Sequence, residues 1–490
     1  MLGSHSLKLV LFMAGAWCAF AQAKTPTACT GHRCVFAHYM LANQDYQADT
    51  DATQEAKILS YEREIREAQA IGIDGFALNA GGWTKEQRYI RRAAQMFEAA
   101  VRLNSGFKLM FSADFCCGLT LEETEDMLRR FANNPRYGKA YFVYEGKAVL
   151  TTFAGDKFGT AAWSRLRKDL EGGQRPSTYS EPDVLGATGV ASSKPLPVFV
   201  VPAFFWGGEL PERATIERSF AEWKSVVDGL FYWGIAGVPG SGGALDQLRV
   251  SDAYARVAQN AGKIYMAPVC LQFWGANADR YYEYGGFAGM RKMWMDAMEV
   301  SHPEWVEIIT WNDFVEGTYV SPIDDAGRYA GANDLGGSGI APGTTGYFHS
   351  HAGAYELLRY FIGWYKTGIR PAIKNDAIYW AYRTHPANAE AGLPSVAHKY
   401  GEVADRIYVT AQLIAGAKLV VRSGGVVTRK ELRAGDHDVE VPFAPGAAPV
   451  VEVWRDGRLA VKGVGVDRIE AGPALTNYYY STGWSSSNPH

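Results

Sequence analysis

Along the chain, short apolar runs alternate with stretches whose apolar residues recur every three or four positions. Ile58, Tyr61, Ile65 and Ala68 share one helical face, and Ile90, Ala93, Ala94, Phe97 and Ala100 share another. Thr120 with Glu123 three residues on is a capping-box pattern that opens a helix over 121–132. Helices are also predicted over 163–170, 245–261, 286–300 and 354–366. Between them, runs starting near residues 35, 75, 108, 148, 197, 230, 264 and 306 read as strands. Eight strands, most followed by a helix, predict an α/β chain folded as a (β/α)8 TIM-like barrel. From Lys374 the texture changes to short strands at 377–380, 406–409, 419–421, 439–441 and 450–453, divided by Gly, Asp and Pro turns. Strands at this spacing without helices predict a small C-terminal β-sandwich.

The expected division is a signal peptide over 1–23, the catalytic barrel over 24–371, the sandwich over 372–484 and a disordered tail over 485–490. Lys8, the apolar stretch from Leu9 to Phe20 and the small-x-small Ala21-Gln22-Ala23 carry the first assignment. That apolar stretch is too short to span a membrane, so the protein is expected to be secreted or periplasmic. A long, glycine-rich polar loop runs from Ser321 to Thr345, and loops of that length are usually functional.

In such barrels the reactive residues stand at the C-terminal ends of the strands. His38, Asn79, Asp114, Trp206, Trp233, Trp274, Asp313 and Glu316 all fall there. The densest stretch is Thr310-Trp311-Asn312-Asp313-Phe314-Val315-Glu316, which follows the apolar run 306–309. Two carboxylates on one short turn can be held at different pKa values, as general acid/base catalysis requires. The plainer reading of the same turn is a helix cap and a surface acid. Asp114 is a candidate for bonding substrate or tuning the pair, and His38 and Asn79 for substrate hydrogen bonds. Trp206, Trp274 and Trp311 are candidate platforms for sugar rings. Asp74 lies at the opposite end of its strand, where a structural role is expected.

Composition changes this picture little. With 47% hydrophobic and 21% charged residues, the chain has an ordinary globular make-up. A formal net charge of −3 gives no field favouring nucleic acid or an anionic membrane. Beyond the signal there are five cysteines. Cys29 and Cys34 are close enough to form a clip. The adjacent Cys116 and Cys117 lack a Cys-x-x-Cys spacing and a nearby histidine, so a structural role is expected for them. No spacing resembles a zinc site, and neither metal nor cofactor is expected.

Several stretches in fixed order resemble glycoside hydrolase family 71, the endo-α-1,3-glucanases or mutanases. They are 35–40 (Val-Phe-Ala-His-Tyr-Met), 72–79 (Gly-Ile-Asp-Gly-Phe-Ala-Leu-Asn), 265–269, 310–316, 364–368 and 382–386. The resemblance implies a (β/α)8 barrel with a β-sandwich and hydrolysis of α-1,3-glucan with inversion, without metal. It places the family's Trp-Asn-Asp-x-x-Glu on Trp311, Asn312, Asp313 and Glu316, making Asp313 and Glu316 the catalytic pair and Asn312 and Trp311 neighbours of the substrate. It also makes Asp74 a weak candidate. Glu316 is assigned the acid role and Asp313 the base. Val315 and Gly317-Thr318-Tyr319 depart from the fungal pattern, in which glycine precedes the glutamate and Ser-His-Tyr follows. That departure bears on the adjacent subsites and the linkage. The expected partner is a polysaccharide, an α-glucan, with no nucleic acid and no membrane, and the protein is expected to be a monomer. The alternatives are a barrel glycosidase acting on another glycan, endo-mannosidase-like, and a non-catalytic glycan-binding protein.

Overall fold

The computed structural model describes residues 29, 32–43, 54–86, 88–173, 193–208, 210–235, 246–275, 280–314, 316–322, 349–386, 398–399, 404–471 and 480–488. The signal segment, most of the loop expected over 321–345, and Pro489 and His490 lie outside the described residues.

Eight parallel strands form one sheet: β1 Cys34–Met40, β2 Gly75–Ala80, β3 Lys108–Asp114, β4 Lys147–Phe153, β5 Val198–Ala203, β6 Gly229–Phe231, β7 Ile264–Cys270 and β8 Trp305–Ile309. The order is β3-β2-β1-β8-β7-β6-β5-β4, and β3 also pairs with β4, Phe111 opposite Leu150, so the sheet closes on itself. Each strand is followed by a helix: α1 Gln54–Ala70, α2 Arg88–Leu103, α3 Leu121–Phe131, α4 Gly159–Gly172, α5 Arg213–Trp223, α6 Asp246–Asn260, α7 Phe287–Asp296 and α8 Ala352–Thr367. The expected (β/α)8 barrel is therefore the observed one. Helix α5 is an addition. Its helical face buries only Ile216, Phe220 and Trp223, too sparse a stripe to stand out in the sequence.

The strands are buried on both faces, as a helix-jacketed parallel barrel requires. Outward residues pack under the helices. Phe111 on β3 meets Trp83, Phe97 and Phe131. Inward residues fill the lumen. Its N-terminal end is closed by an aromatic plug in which Trp305 touches Phe36, Phe142, Tyr144 and Phe199. The Thr120 capping box is present at the start of α3, with both reciprocal bonds made.

The C-terminal region is a sandwich of two four-stranded antiparallel sheets. The strands are β9 Ala377–Arg383, β10 Arg406–Leu413, β11 Ala417–Ser423, β12 Val426–Leu432, β13 Gly435–Pro442, β14 Val450–Arg455, β15 Arg458–Val464 and β16 Tyr480–Ser486. One sheet runs β13-β10-β9-β16 and the other β12-β11-β14-β15. Ile378, Trp380, Val409, Leu419, Val421, Val451 and Val453 form the core between them. A tail disordered from 485 was expected. Instead Ser485 and Ser486 end β16, opposite Ile378 and Ala377, and the Ser487 N–H donates to the Asp376 carbonyl.

The first sheet docks on the barrel. The buried Arg383 of β9 pairs with Glu283 at 2.6 Å, and Arg291 of α7 pairs with Asp438 of β13 at 2.9 Å. Cys29 and Cys34 are joined in a disulfide at the foot of β1. No helix among the described residues is long and apolar enough to cross a membrane.

Candidate active site

The stretch after β8 is a tight excursion whose two arms bond to each other. The Thr310 N–H donates to the Thr318 carbonyl (3.0 Å), the Val320 N–H to the Thr310 carbonyl (3.0 Å) and the Ser321 N–H to the Trp311 carbonyl (3.0 Å). The Thr310 and Thr318 hydroxyls lie 2.9 Å apart. Asp313 and Glu316 are at the tip. The Asp313 N–H donates to Thr310 Oγ1 (2.8 Å), and Asp313 Oδ1 accepts the Glu316 N–H (3.0 Å). The turn returns through Gly317, whose φ of 69° is left-handed and costs glycine nothing. Its carbonyl accepts from Gln272 Nε2 at 3.1 Å.

This excursion is bolted to β1. The Trp311 N–H donates to the His38 carbonyl (2.7 Å). Asn312 mimics one more strand residue, with Oδ1 accepting the Met40 N–H (2.7 Å) and Nδ2 donating to the Met40 carbonyl (3.2 Å). Trp311 is fully buried, packs on Phe76 and donates its indole N–H to Glu64. Asn312 and Trp311 were expected beside the substrate. The structure makes them anchors: both polar atoms of Asn312 serve the Met40 backbone, and the Trp311 ring is enclosed in the core. Asp313 is buried and Glu316 half-buried. Glu316 lies close enough to the end of β7 that its charge adds to burial in holding the Cys270 thiol above its ordinary pKa.

Asn79 and Asp114 come together at the ends of β2 and β3. Asn79 Nδ2 donates to Asp114 Oδ2 at 3.2 Å, while Asp114 Oδ1 accepts the Cys116 N–H at 3.0 Å. Partial enclosure of its sulfur, with the Asp114 carboxylate beside it, pushes the Cys117 thiol up to about 12. Cys116 is raised for the same two reasons. Neither thiol is a ready nucleophile, because the thiolate is the reactive form.

His38 points into the lumen. Its Nδ1 is 2.7 Å from Glu307 Oε1 on β8, both side chains are fully buried, and its ring stands edge-on to Trp233 beyond β6 at 4.6 Å. Burial raises the Glu307 carboxyl above its ordinary pKa against the pull of His38. Glu307 went unnoticed in the sequence as part of an apolar run. A lone carboxylate in a buried strand needs a partner, and that was the available signal. Gln272, which holds Gly317, carried no comparable signal.

Two other candidates move away from the site. Trp206 is buried and stacks on Tyr254 with an interplanar angle of 10°, so that face is not free for a sugar. Asp74 stands at the N-terminal end of the barrel, accepting the Val35 N–H (2.9 Å) and bonded by Lys366 of α8 (2.6 Å). The backbone of Trp274 lies in the strand Gln272–Gly275, and its side chain is outside the described residues, as is Val315. Among the described residues no group of three or more His, Cys, Asp or Glu is arranged to hold a metal ion.

The model of glycosyl hydrolase family 71 matches residues 31–488. The chain is 26% identical over 470 residues to the glucan endo-1,3-alpha-glucosidase agn1 of Schizosaccharomyces pombe, across 95% of this chain and 96% of that one. It is 27% identical over 443 residues to a mutanase of Penicillium rubens, across 88% of this chain and 84% of that one. Among solved structures, a GH99 endo-alpha-mannosidase of Bacteroides thetaiotaomicron is similar with a TM-score of 0.47 and 11% identity, covering 69% of this chain and 98% of that one.

Proposed function

Because the chain belongs to glycosyl hydrolase family 71 and is a glycoside hydrolase, we propose that it cleaves α-1,3-glucan with inversion, using Glu316 as general acid and Asp313 as general base. The observation that carries this reading is the turn itself. Two carboxylates are presented at the C-terminal mouth of the barrel on a loop anchored at both arms, to β1 through Asn312 and to the barrel mouth through Gln272. Relatives named as a glucan endo-1,3-alpha-glucosidase and a mutanase support the substrate.

In this mechanism Glu316 gives its proton to the glycosidic oxygen as the C1–O bond breaks. Asp313 removes a proton from the water that attacks C1 from the opposite face. The proton taken by Asp313 returns to solvent, and Glu316 is reprotonated, so the pair ends as it began. Asp313 Oδ1 accepts the Glu316 N–H, which orients that carboxylate. Asn79 and Asp114 offer polar groups to sugar hydroxyls from the adjoining strand ends, whereas the His38–Glu307 pair is fully buried beneath them and does not reach the substrate. We place this activity outside the cytoplasm, in the secreted or periplasmic protein left after removal of residues 1–23.

The test is reducing-sugar release from insoluble α-1,3-glucan, with α-1,4- and α-1,6-glucans as controls. NMR of the first product formed reads the stereochemistry. The expected result is release from the α-1,3 polymer with the β-anomer appearing first. An α-anomer would overturn inversion while leaving the substrate, and a preference for another linkage would overturn the substrate.

A further inference from the structure

Beyond the turn, the chain continues from Tyr319 into a junction with the sandwich. The Tyr319 ring lies flat on the His351 ring, with centroids 3.9 Å apart and 9° between planes. His351 is fully buried. Its Nδ1 lies 2.6 Å from the Tyr319 carbonyl, and its Nε2 faces the Tyr480 carbonyl at 3.2 Å. A neutral imidazole has one N–H, and the shorter contact takes it. His351 Nδ1 therefore donates to Tyr319, three residues after Glu316.

His351 caps the start of α8, and the backbone around it is bonded to the sandwich. The Thr482 N–H of β16 donates to the Ser350 carbonyl (2.6 Å), and the Ala354 N–H donates to Thr482 Oγ1 (3.3 Å). Gly353 approaches so closely that an added Cβ would meet the Gly483 carbonyl oxygen at 2.5 Å. Next to it, the Tyr319 hydroxyl bonds to the His349 carbonyl, and His349 Nδ1 contacts Asp467 at 3.0 Å. The return arm of the carboxylate turn is thus held by a ring at the start of α8, where that helix is bonded to the edge of the second domain.

The geometry assigns His351 as a positioning residue for the Asp313–Glu316 turn, and the last strand of the sandwich as a structural part of the active site. This rests on the reading of that turn as catalytic. The accessory domain then contributes to kcat by fixing the turn and needs no sugar contact of its own. Near-attack geometry is sensitive to displacements of about 1 Å, which can cost ~100-fold in rate.

The experiment compares His351→Phe, which keeps a ring against Tyr319 and removes the N–H, with His351→Asn, whose amide can replace the Nδ1 donor. Thr482→Val loosens the sandwich edge without touching Tyr319. Two readouts are taken from folded protein: kcat and KM on soluble α-1,3-oligosaccharides, and amide exchange at Thr310, Val320 and Ser321. We expect kcat to fall roughly 10- to 100-fold in His351→Phe with little change in KM. The three amides should exchange faster, and His351→Asn should recover most of both. Thr482→Val should speed exchange at the same amides while β3 and β7 stay protected. Wild-type kcat and exchange in His351→Phe would overturn the assignment, as would an Asn variant no better than Phe. If His351→Phe does not fold, unchanged turn exchange in Thr482→Val overturns it. Exchange needs no substrate, so a wild type that leaves α-1,3-glucan intact would sink the substrate reading and leave the positioning role to be decided separately.

Discussion

The two ends of the barrel both use acids that accept backbone N–H groups, yet they use them differently. At the N-terminal end, Asp74 accepts from Val35 and is paired with Lys366, and Asp228 accepts from Val200 (2.9 Å) and is paired with Arg167 (2.7 Å). Each carboxylate there ties the edge of one strand to a helix through a cation. At the C-terminal end, Asp114 is held by the Asn79 amide and the Cys116 N–H, and Asp313 by its place in a turn whose N–H groups it organises. One end uses acids to join elements, and the other uses them to arrange local turns and polar neighbours. Position in the barrel therefore tells more about an acid's role than burial does.

The contrast breaks most sharply at the turn. Asp313→Asn and Glu316→Gln should each lower kcat on α-1,3-glucan by ~100- to 10,000-fold, the usual range for losing a general acid or base. Thermal melting should show a much smaller change. At the opposite end, Asp74→Ala leaves Lys366 without its partner and should destabilise the protein by about 3–5 kcal/mol. Denaturant titration measures that loss, and kcat per folded molecule should stay at the wild-type value. A fall in kcat at constant folded fraction would abolish the distinction between the two ends.

Acid should expose the junction between turn and sandwich. Burial pushes the His351 imidazole down to about 4. Below the unfolded value near 6.5 the unfolded chain takes a proton that the folded protein refuses, so stability falls as pH drops from 6.5 to about 4 and levels off below that. The full shift corresponds to roughly 3 kcal/mol. His349 and Asp467 face the same ring, and Asp467 titrates in the acid range, its carboxyl lowered by His349 against the opposing effect of burial. His351→Asn should remove the His351 component of the slope, read as the difference between denaturation midpoints at pH 7 and pH 4.5. The smallest effect is expected at Thr120, which stands at the C-terminal end of the barrel yet only caps α3. Thr120→Ala should cost about 1 kcal/mol with no change in kcat. A loss of activity there would mean that position alone confers function.

Much of this was legible in the sequence because local pattern and tertiary role agree. All eight barrel strands, the α3 capping box and the turn with its two acids are written in contiguous residues. The sandwich was read from five of its eight strands. Strand β12 is Val-Val-Thr-Arg-Lys-Glu-Leu, an edge strand exposed along most of its length, and it has no buried face to produce alternation. Strand β16, Tyr-Ser-Thr-Gly-Trp-Ser-Ser, is buried at its start by neighbours rather than by its own apolar content. The anchoring roles of Trp311 and Asn312 were hidden for a related reason. Their partners, Glu64 and Met40, lie 247 and 272 residues away, and a polar or aromatic side chain beside two acids looks like a substrate contact until those partners are known. Glu307 was hidden by its surroundings, since its partner His38 is 269 residues distant.

The edge position of β16 also has a consequence for how the molecule is made. Translation completes the barrel strands at Ile309, whereas the carbonyl facing His351 belongs to a residue 129 positions later than that histidine. A growing chain can therefore close its sheet long before the strand beside the carboxylate turn exists. Contacts of such long sequence separation form late and slowly. The newly made polypeptide would pass through a period in which it is a barrel by topology whose carboxylate turn still lacks the support of β16.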